Sequence, residues 1–144
     1  PKNKRKKQTM NKTKEQNKMV PLNTITIWPL TKFGMNDTIV YIVEWFLEKN
    51  NIEGVTLDIE LKETMSCWGD SQQVLGEFGK HGDVSYDIRI CTNQSIRDFI
   101  ATLMHELVHV QQWNDNTWDG DGEKEATILE YTLADEYWNK TTRI

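Results

Sequence analysis

The 144-residue sequence lacks most of the features that mark secreted, membrane-bound or nucleotide-binding proteins. Its two cysteines, Cys67 and Cys91, are too few for a disulfide framework and are not spaced as a metal-binding or redox pair. No apolar run approaches the roughly 20 residues that span a bilayer, and the first residues do not resemble a signal peptide. Glycine-rich phosphate loops and a serine-nucleophile elbow are absent as well. These absences favour an intracellular, cytoplasmic protein without membrane contact.

Charge is distributed unevenly along the chain. Its 17 Lys and Arg and 22 Asp and Glu give a formal net charge of -5, but residues 1–20 hold eight basic side chains against Glu15 alone, which is +7. The rest of the chain therefore carries -12. A basic, polar segment without Leu, Ile or aromatic residues cannot bury enough apolar surface to become ordered. We expect a disordered basic tail over residues 1–19 and a single acidic folded domain over residues 20–144.

The spacing of apolar residues predicts an α+β domain. Alternation of apolar and polar residues predicts strands over residues 23–30, 55–61 and 84–91, and a further short strand within residues 66–82. Helical spacing predicts one helix capped by Asn36 or Asp37, a second opened by a capping box of Ser95 and Asp98, and a third over Glu123–Asn139. We expect a small, twisted, mostly antiparallel sheet that packs against the second and third helices.

The second predicted helix carries the motif His105-Glu106-Leu107-Val108-His109. Residues four apart lie one turn above each other, so both imidazoles can bind one ion at roughly 2.0 to 2.1 Å. Glu106 lies one position further round the helix, where it can accept a proton from a water molecule on the metal. The pattern predicts a Zn²⁺ site in which His105 and His109 are ligands and Glu106 is the catalytic base.

A catalytic zinc site needs a third protein ligand and an open position for water. The only other histidine, His81, lies upstream in a glycine-rich segment, so we expect the third ligand to be a carboxylate. Glu125, at the start of the last predicted helix, is the preferred candidate. Glu123 is the second choice, and Asp119 and Asp121 in the preceding loop are weaker alternatives.

These motifs resemble those of a known class of enzymes. A His-Glu-x-x-His motif followed by the pair Glu125-Ala126 is similar to the pattern of gluzincin zinc metallopeptidases, in which the Glu of such a pair is the third ligand. The run Arg97–Trp113 and the Glu-x-Glu-Ala of residues 123–126 resemble small SprT-like, ImmA/IrrE-type and phage peptidases. The resemblance covers roughly residues 70–138. Leu129 stands where larger gluzincins have an Asp that supports a ligand histidine.

The resemblance implies a zincin-like fold and a zinc metalloendopeptidase, a hydrolase that cleaves peptide bonds with a zinc-bound water activated by Glu106. It also implies that the strand of residues 84–91 borders the cleft and binds an extended peptide or protein substrate as an added strand. The implied substrate-binding residues are Tyr86, Ile88 and Ile90. The candidates for stabilising the oxyanion are Tyr131, Tyr137 and His81.

Two other functions fit the same sequence. One is a non-catalytic, zincin-like metal-binding protein in which the metal stabilises the fold and the tail or the acidic surface recruits a partner. The other is a protease tethered to nucleic acid through residues 1–19, the only part of the chain whose charge suits DNA or RNA. Glu106 distinguishes enzyme from binding protein, because catalysis requires its carboxylate whereas a structural metal site tolerates glutamine there.

Overall fold

The computed structural model describes residues 22–29, 34–63 and 75–142. These residues form β1 (Thr24–Trp28), α1 (Met35–Lys49), β2 (Thr56–Lys62), β3 (Gly76–Lys80), β4 (Ser85–Cys91), α2 (Ile96–Asn114) and α3 (Glu123–Thr142). The α+β class expected from the sequence is confirmed. The expected basic tail, residues 1–19, lies outside the described residues.

The four strands form one mixed sheet in the order β1-β2-β4-β3. β1 pairs with β2 in parallel, β2 pairs with β4 in parallel, and β3 pairs with β4 antiparallel. The expectation of a mostly antiparallel sheet is therefore wrong. Helix α1 connects β1 to β2 and returns the chain to the same end of the sheet, which is the connection that parallel strands require. β3 lies beyond β4 and forms one edge of the described sheet, and β1 forms the other.

The alternation of apolar residues in β2 and β4 places one face of the sheet in the core. The register pairs Leu57 with Tyr86 and Ile59 with Ile88, and all four side chains are buried. This face packs against the apolar side of α2, whose buried residues include Phe99, Ile100, Leu103, Met104, Leu107 and Val108. Burial of a side chain of this size contributes roughly 1.5–3 kcal/mol. The packing fixes the middle of α2 beside β4 and the edge strand β3.

Helix α1 begins with glycine rather than with the expected polar cap. Gly34 occupies the N-cap position with a φ of 72°, a left-handed conformation that glycine adopts at little cost. Asn36, one of the two expected caps, instead donates a side-chain N–H to the Pro29 carbonyl oxygen at 3.2 Å. The capping prediction for α1 is therefore wrong, although its apolar positions face the core as expected.

Helix α2 begins where the capping box predicts, because the Ser95 hydroxyl oxygen accepts a hydrogen bond from the Asp98 backbone N–H at 3.1 Å. Helix α3 then packs against α2 in the opposite direction. Arg97 near the start of α2 pairs with Asp135, whereas Gln112 near its end contacts Gly122, just before α3. The first turn of α3 therefore lies beside the last turns of α2.

In the described segments, none of the helices combines the length and apolar composition needed to cross a lipid bilayer.

Candidate metal centre

The two motif histidines lie on one side of α2, and their rings face a common point. The centroids of His105 and His109 are 5.1 Å apart, close to the rise of one helical turn. The side chain of His109 is 3% exposed and that of His105 is 15% exposed. Both rings are therefore positioned by packing rather than free in solvent.

The third group at this point is Glu123, the first residue of α3. Its Oε1 lies 2.9 Å from His105 Nε2, and its Oε2 lies 2.7 Å from His109 Nε2. Ligand atoms of the three side chains all lie within 4.8 Å of one another. The structure therefore brings the second-choice carboxylate of the sequence analysis to the histidine pair.

Glu125, the preferred third ligand, does not join this group. Its Oε1 accepts a hydrogen bond from Gln112 Nε2 at 2.9 Å. Positions two apart on a helix differ by about 200° in direction, so Glu123 and Glu125 cannot both face the histidines. The loop alternatives Asp119 and Asp121 are also outside the group, and Asp121 instead accepts a hydrogen bond from the Glu123 backbone N–H.

The donor set suits a zinc ion. In a tetrahedral zinc site with bonds of about 2.0–2.1 Å, neighbouring donor atoms are roughly 3.4 Å apart. The two contacts of Glu123 with the histidines are 2.9 and 2.7 Å, and the ligand atoms of the three side chains all lie within 4.8 Å of one another, so the group is compact enough to bind one ion. Two imidazole nitrogens and one carboxylate leave a fourth coordination position open, which is the composition of catalytic zinc sites.

The other ring nitrogen of each histidine also has a partner. His105 Nδ1 lies 2.8 Å from Glu130 Oε1, and His109 Nδ1 lies 2.9 Å from Gln112 Oε1. Partners of this kind fix the orientation and the tautomer of metal-binding histidines. Burial lowers the pKa of His105, but the nearby carboxylates of Glu106, Glu130 and Glu123 outweigh burial and raise its pKa overall.

Glu106 is buried beside the histidine pair, with an exposed fraction of 5%. Burial raises its pKa to about 8; the positive charge of His105 acts in the opposite direction, and other carboxylates add to the rise. A carboxyl group with a pKa near neutrality can both accept and release a proton near pH 7. The carboxyl group of Glu106 can therefore exchange a proton near neutral pH.

The edge strand β3 approaches Glu106 at a glycine. A Cβ atom on Gly76 would lie 2.8 Å from Glu106 Oε2 and 2.7 Å from Thr102 Cγ2. Both distances are below ordinary van der Waals contact, so only glycine fits at this position without displacement of a neighbour. The absence of a side chain on Gly76 lets the edge strand lie directly against the carboxylate.

An aromatic cluster covers His109 on the side of the sheet. Its ring lies 5.4 Å from the ring of Phe78 and 5.4 Å from that of Trp118. Trp118 in turn contacts Trp113, whose ring also lies under the Lys80 ammonium group. These rings exclude water from one side of His109. Phe78 belongs to no motif in the sequence, so its place in the site could not be predicted.

The expected substrate-binding residues are not available to a substrate. Tyr86, Ile88 and Ile90 are 1%, 0% and 0% exposed, and their strand β4 is paired on both sides, by β2 and by β3. This prediction is therefore wrong, because the apolar face of β4 is core. The edges of the described sheet are β1 and β3, and of these two strands β3 is the one that pairs with β4.

Each oxyanion candidate has another partner. The Tyr131 hydroxyl donates a hydrogen bond to Asp98 Oδ1 at 2.6 Å, two helical turns before His105. Tyr137 is buried against Trp45, with ring centroids 5.6 Å apart. His81 pairs with Asp87 near the β3–β4 turn. These contacts give the three residues structural roles and leave the oxyanion stabiliser unassigned.

A cavity of about 380 Å³ adjoins Gln112. Gln112, Glu125 and Leu129 are among its lining residues, whereas His105, His109 and Glu123 are not.

Comparison of the chain with protein-family models, curated proteins and solved structures finds no match. The candidate metal centre is therefore defined by the geometry of its side chains alone.

Proposed function

We propose that the protein is a zinc-dependent metallopeptidase of the zincin type, in which His105, His109 and Glu123 bind the metal and Glu106 is the general base. One observation carries the proposal: a single carboxylate contacts Nε2 of both motif histidines, and the buried acid of the same motif lies next to them. Two histidines that merely lie on the surface of a helix would not be expected to share one carboxylate from another helix.

The side chains supply the chemistry of amide hydrolysis. A zinc ion bound by the three side chains would polarise a carbonyl group and make a water molecule more acidic. Glu106 would accept the proton of the attacking water and deliver it to the leaving amine. Its burial supports this role, because a carboxylate in a site with little water is not fully solvated and takes up a proton more readily.

The edge strand β3 is the proposed binding site for the peptide. An extended peptide can pair with the free backbone groups of an edge strand, and the paired backbone aligns the peptide along it. The close approach of Gly76 to Glu106 places the start of β3 next to the proposed base. A peptide bound along β3 would therefore pass close to Glu106.

The test is the substitution Glu106→Gln in the full chain. The zinc-loaded wild-type protein and variant are incubated with a peptide library, and cleavage products are identified by mass spectrometry. We expect zinc content to be unchanged and cleavage to fall by roughly 10²- to 10⁴-fold, the usual contribution of a general base. Glu44→Gln, a substitution in α1, is the matched control for the loss of one carboxylate.

Two results would contradict the proposal. The first is a variant that cleaves peptides as fast as the wild type, which would exclude Glu106 as the base. The second is a wild-type protein that binds zinc and cleaves no peptide in the library, which would favour the non-catalytic metal-binding protein instead.

A further inference from the structure

Gln112 connects the metal centre to the start of α3 through its side-chain amide. Gln112 Oε1 lies 2.9 Å from His109 Nδ1. Gln112 Nε2 donates to the Gly122 carbonyl oxygen at 2.9 Å and to Glu125 Oε1 at 2.9 Å. Gln112 is 2% exposed, so these bonds form in a site from which water is largely excluded. Loss of any of the three contacts would leave a buried polar group without a partner, which destabilises the folded protein.

The partners of Gln112 determine which way its amide points. A backbone carbonyl and a carboxylate only accept hydrogen bonds, so both must face the NH₂ group of Gln112. The amide oxygen then faces His109, and this contact is a hydrogen bond only if Nδ1 of the imidazole donates. A proton on Nδ1 satisfies this contact. Nε2 faces the Glu123 carboxylate at 2.7 Å, a contact that also needs an N–H; a bound metal would take the place of that proton, so that Nδ1 keeps its proton and Nε2 faces the ion.

Gly122 is fitted to the same amide. Its φ is +75°, and a Cβ atom at this position would overlap Gln112 Oε1. Gly122 thus combines a left-handed backbone with a close approach to the amide, and both favour glycine. The start of α3 is therefore shaped around Gln112 on one side and provides Glu123 to the histidines on the other.

We infer that Gln112 is a positioning residue that sets the tautomer and the orientation of His109, and that Glu125 and Gly122 set the orientation of the Gln112 amide. Glu125 then acts on the metal centre through Gln112 rather than as a ligand. This inference rests on the proposed function in one respect only, because it takes Nε2 of His109 as a metal ligand.

The first test compares two neighbouring glutamines. Gln112→Met removes the hydrogen bond to His109 and keeps the length of the side chain. Gln111→Met is the matched control, because Gln111 donates to Oδ1 of Asn50, the residue that follows α1, at 3.1 Å and so also loses a tertiary hydrogen bond. Zinc affinity is measured by competition with a chelating dye. We expect a loss of roughly 10- to 100-fold for Gln112→Met and less than about a twofold change for Gln111→Met.

The second test exchanges the amide and the carboxylate. Gln112→Glu alone places a carboxylate against Glu125 and the Gly122 carbonyl oxygen, so zinc affinity is expected to fall. Addition of Glu125→Gln restores an N–H donor between the two side chains, and we expect the double variant to recover at least part of the affinity. Urea denaturation of the single and double variants separates this effect from general stability: a structural role predicts that zinc affinity changes only as far as the free energy of unfolding does.

The third test needs neither zinc nor activity. Long-range ¹H–¹⁵N NMR spectra of the metal-free wild-type protein report which nitrogen of His109 carries a proton. We expect Nδ1 to carry a proton in the wild type, and the fraction of molecules with a protonated Nδ1 to fall in Gln112→Met, or in Glu125→Ala should the first variant not fold.

The outcomes separate the inference from the proposed function. An unprotonated Nδ1 in the wild type, equal zinc affinity of Gln112→Met and wild type, or equal losses in both glutamine variants would overturn the inference. If the variants change zinc affinity and the tautomer of His109 as expected but the wild-type protein cleaves no peptide, only the proposed function is overturned.

Discussion

Glu130 Oε1 contacts His105 Nδ1 at 2.8 Å, on the side of the ring opposite to the contact with Glu123. Glu123 and Glu130 are seven residues apart in α3, which is about two helical turns. One face of α3 therefore provides both the candidate ligand and the residue that orients a ligand histidine. Glu130 follows directly after Leu129, the position at which larger gluzincins have their supporting Asp.

Glu130→Ala is expected to weaken zinc binding without abolishing it. The substitution leaves the three donor side chains in place but removes the acceptor for His105 Nδ1, which costs roughly 10- to 100-fold in affinity. Dye competition measures the effect. Glu136→Ala is the control on the same helix, because Glu136 pairs with Lys49 of α1. Equal affinities of Glu130→Ala and wild type would contradict the assigned role.

Glu123→Ala and Glu125→Ala are expected to differ strongly in zinc content. Both acids are exposed and lie in the first turn of α3, but only Glu123 contacts the histidines. Substitution of a residue that only contacts a ligand typically reduces metal affinity by up to roughly 100-fold. Loss of one of the three ligands themselves is expected to reduce zinc affinity by more than this. Metal analysis of purified variants by mass spectrometry checks this. A Glu125→Ala protein that retains less zinc than Glu123→Ala would restore the original preference for Glu125.

The motif residues were predictable from sequence because their geometry is local. His105, Glu106 and His109 lie in one helix, so helical spacing alone determines that the two histidines share a side. The candidate third ligand comes from another helix, and its identity depends on which face of α3 packs against α2. The buried residues Ala126, Leu133 and Tyr137 share a heptad spacing with Glu123 and Glu130, a signal that would have favoured Glu123 over Glu125.

The strands were predictable for a similar reason, and their pairing was not. Alternation in Ser85–Cys91 shows that one face of this strand is buried, but it does not show whether the strand is central or at an edge. Strand order and direction depend on contacts between distant segments. The spacing of three residues places Gln112 and His109 on one side of α2. Spacing alone does not show that the two side chains form a contact, as they do in the structure.

Gly76→Ala is expected to destabilise the protein, whereas Gly79→Ala in the same strand is not. A Cβ atom on Gly76 would press on Glu106 and Thr102, and such overpacking typically costs about 1–3 kcal/mol. At Gly79 the nearest atom, Asp87 Cβ, is 4.0 Å away, so alanine fits and removes flexibility from the unfolded chain. Urea denaturation measures the free energy of unfolding of both variants. Equal destabilisation would show that the approach to Glu106 is not tight.

The pKa of Asp98 is expected to depend on Tyr131. The hydrogen bond from Tyr131, followed by that from Ser95, lowers the pKa of this exposed carboxyl below its ordinary value. A lowered pKa stabilises the folded state at pH values above the ordinary pKa of about 3.9, and this stability is lost as the pH falls through the folded-state pKa. Tyr131→Phe should therefore raise the pKa of Asp98, as measured by carboxyl ¹³C NMR titration.

Asp135 provides the internal control in the same titration. Its pKa is lowered chiefly by the hydrogen bond from Arg97 and should stay below the ordinary value in Tyr131→Phe. An unchanged pKa of Asp98 in this variant would show that the short contact with Tyr131 does not persist in solution.

The candidate ligands come from two consecutive helices, two from α2 and one from the first turn of α3. An ion shared by these helices would act as a removable cross-link that closes the loop of residues 115–122. Dissociation of the ion would release this cross-link and allow the end of α2 and the start of α3 to separate. Occupancy of the site by metal would thus set the resistance of this helical hairpin to proteolysis, in addition to any part it has in catalysis.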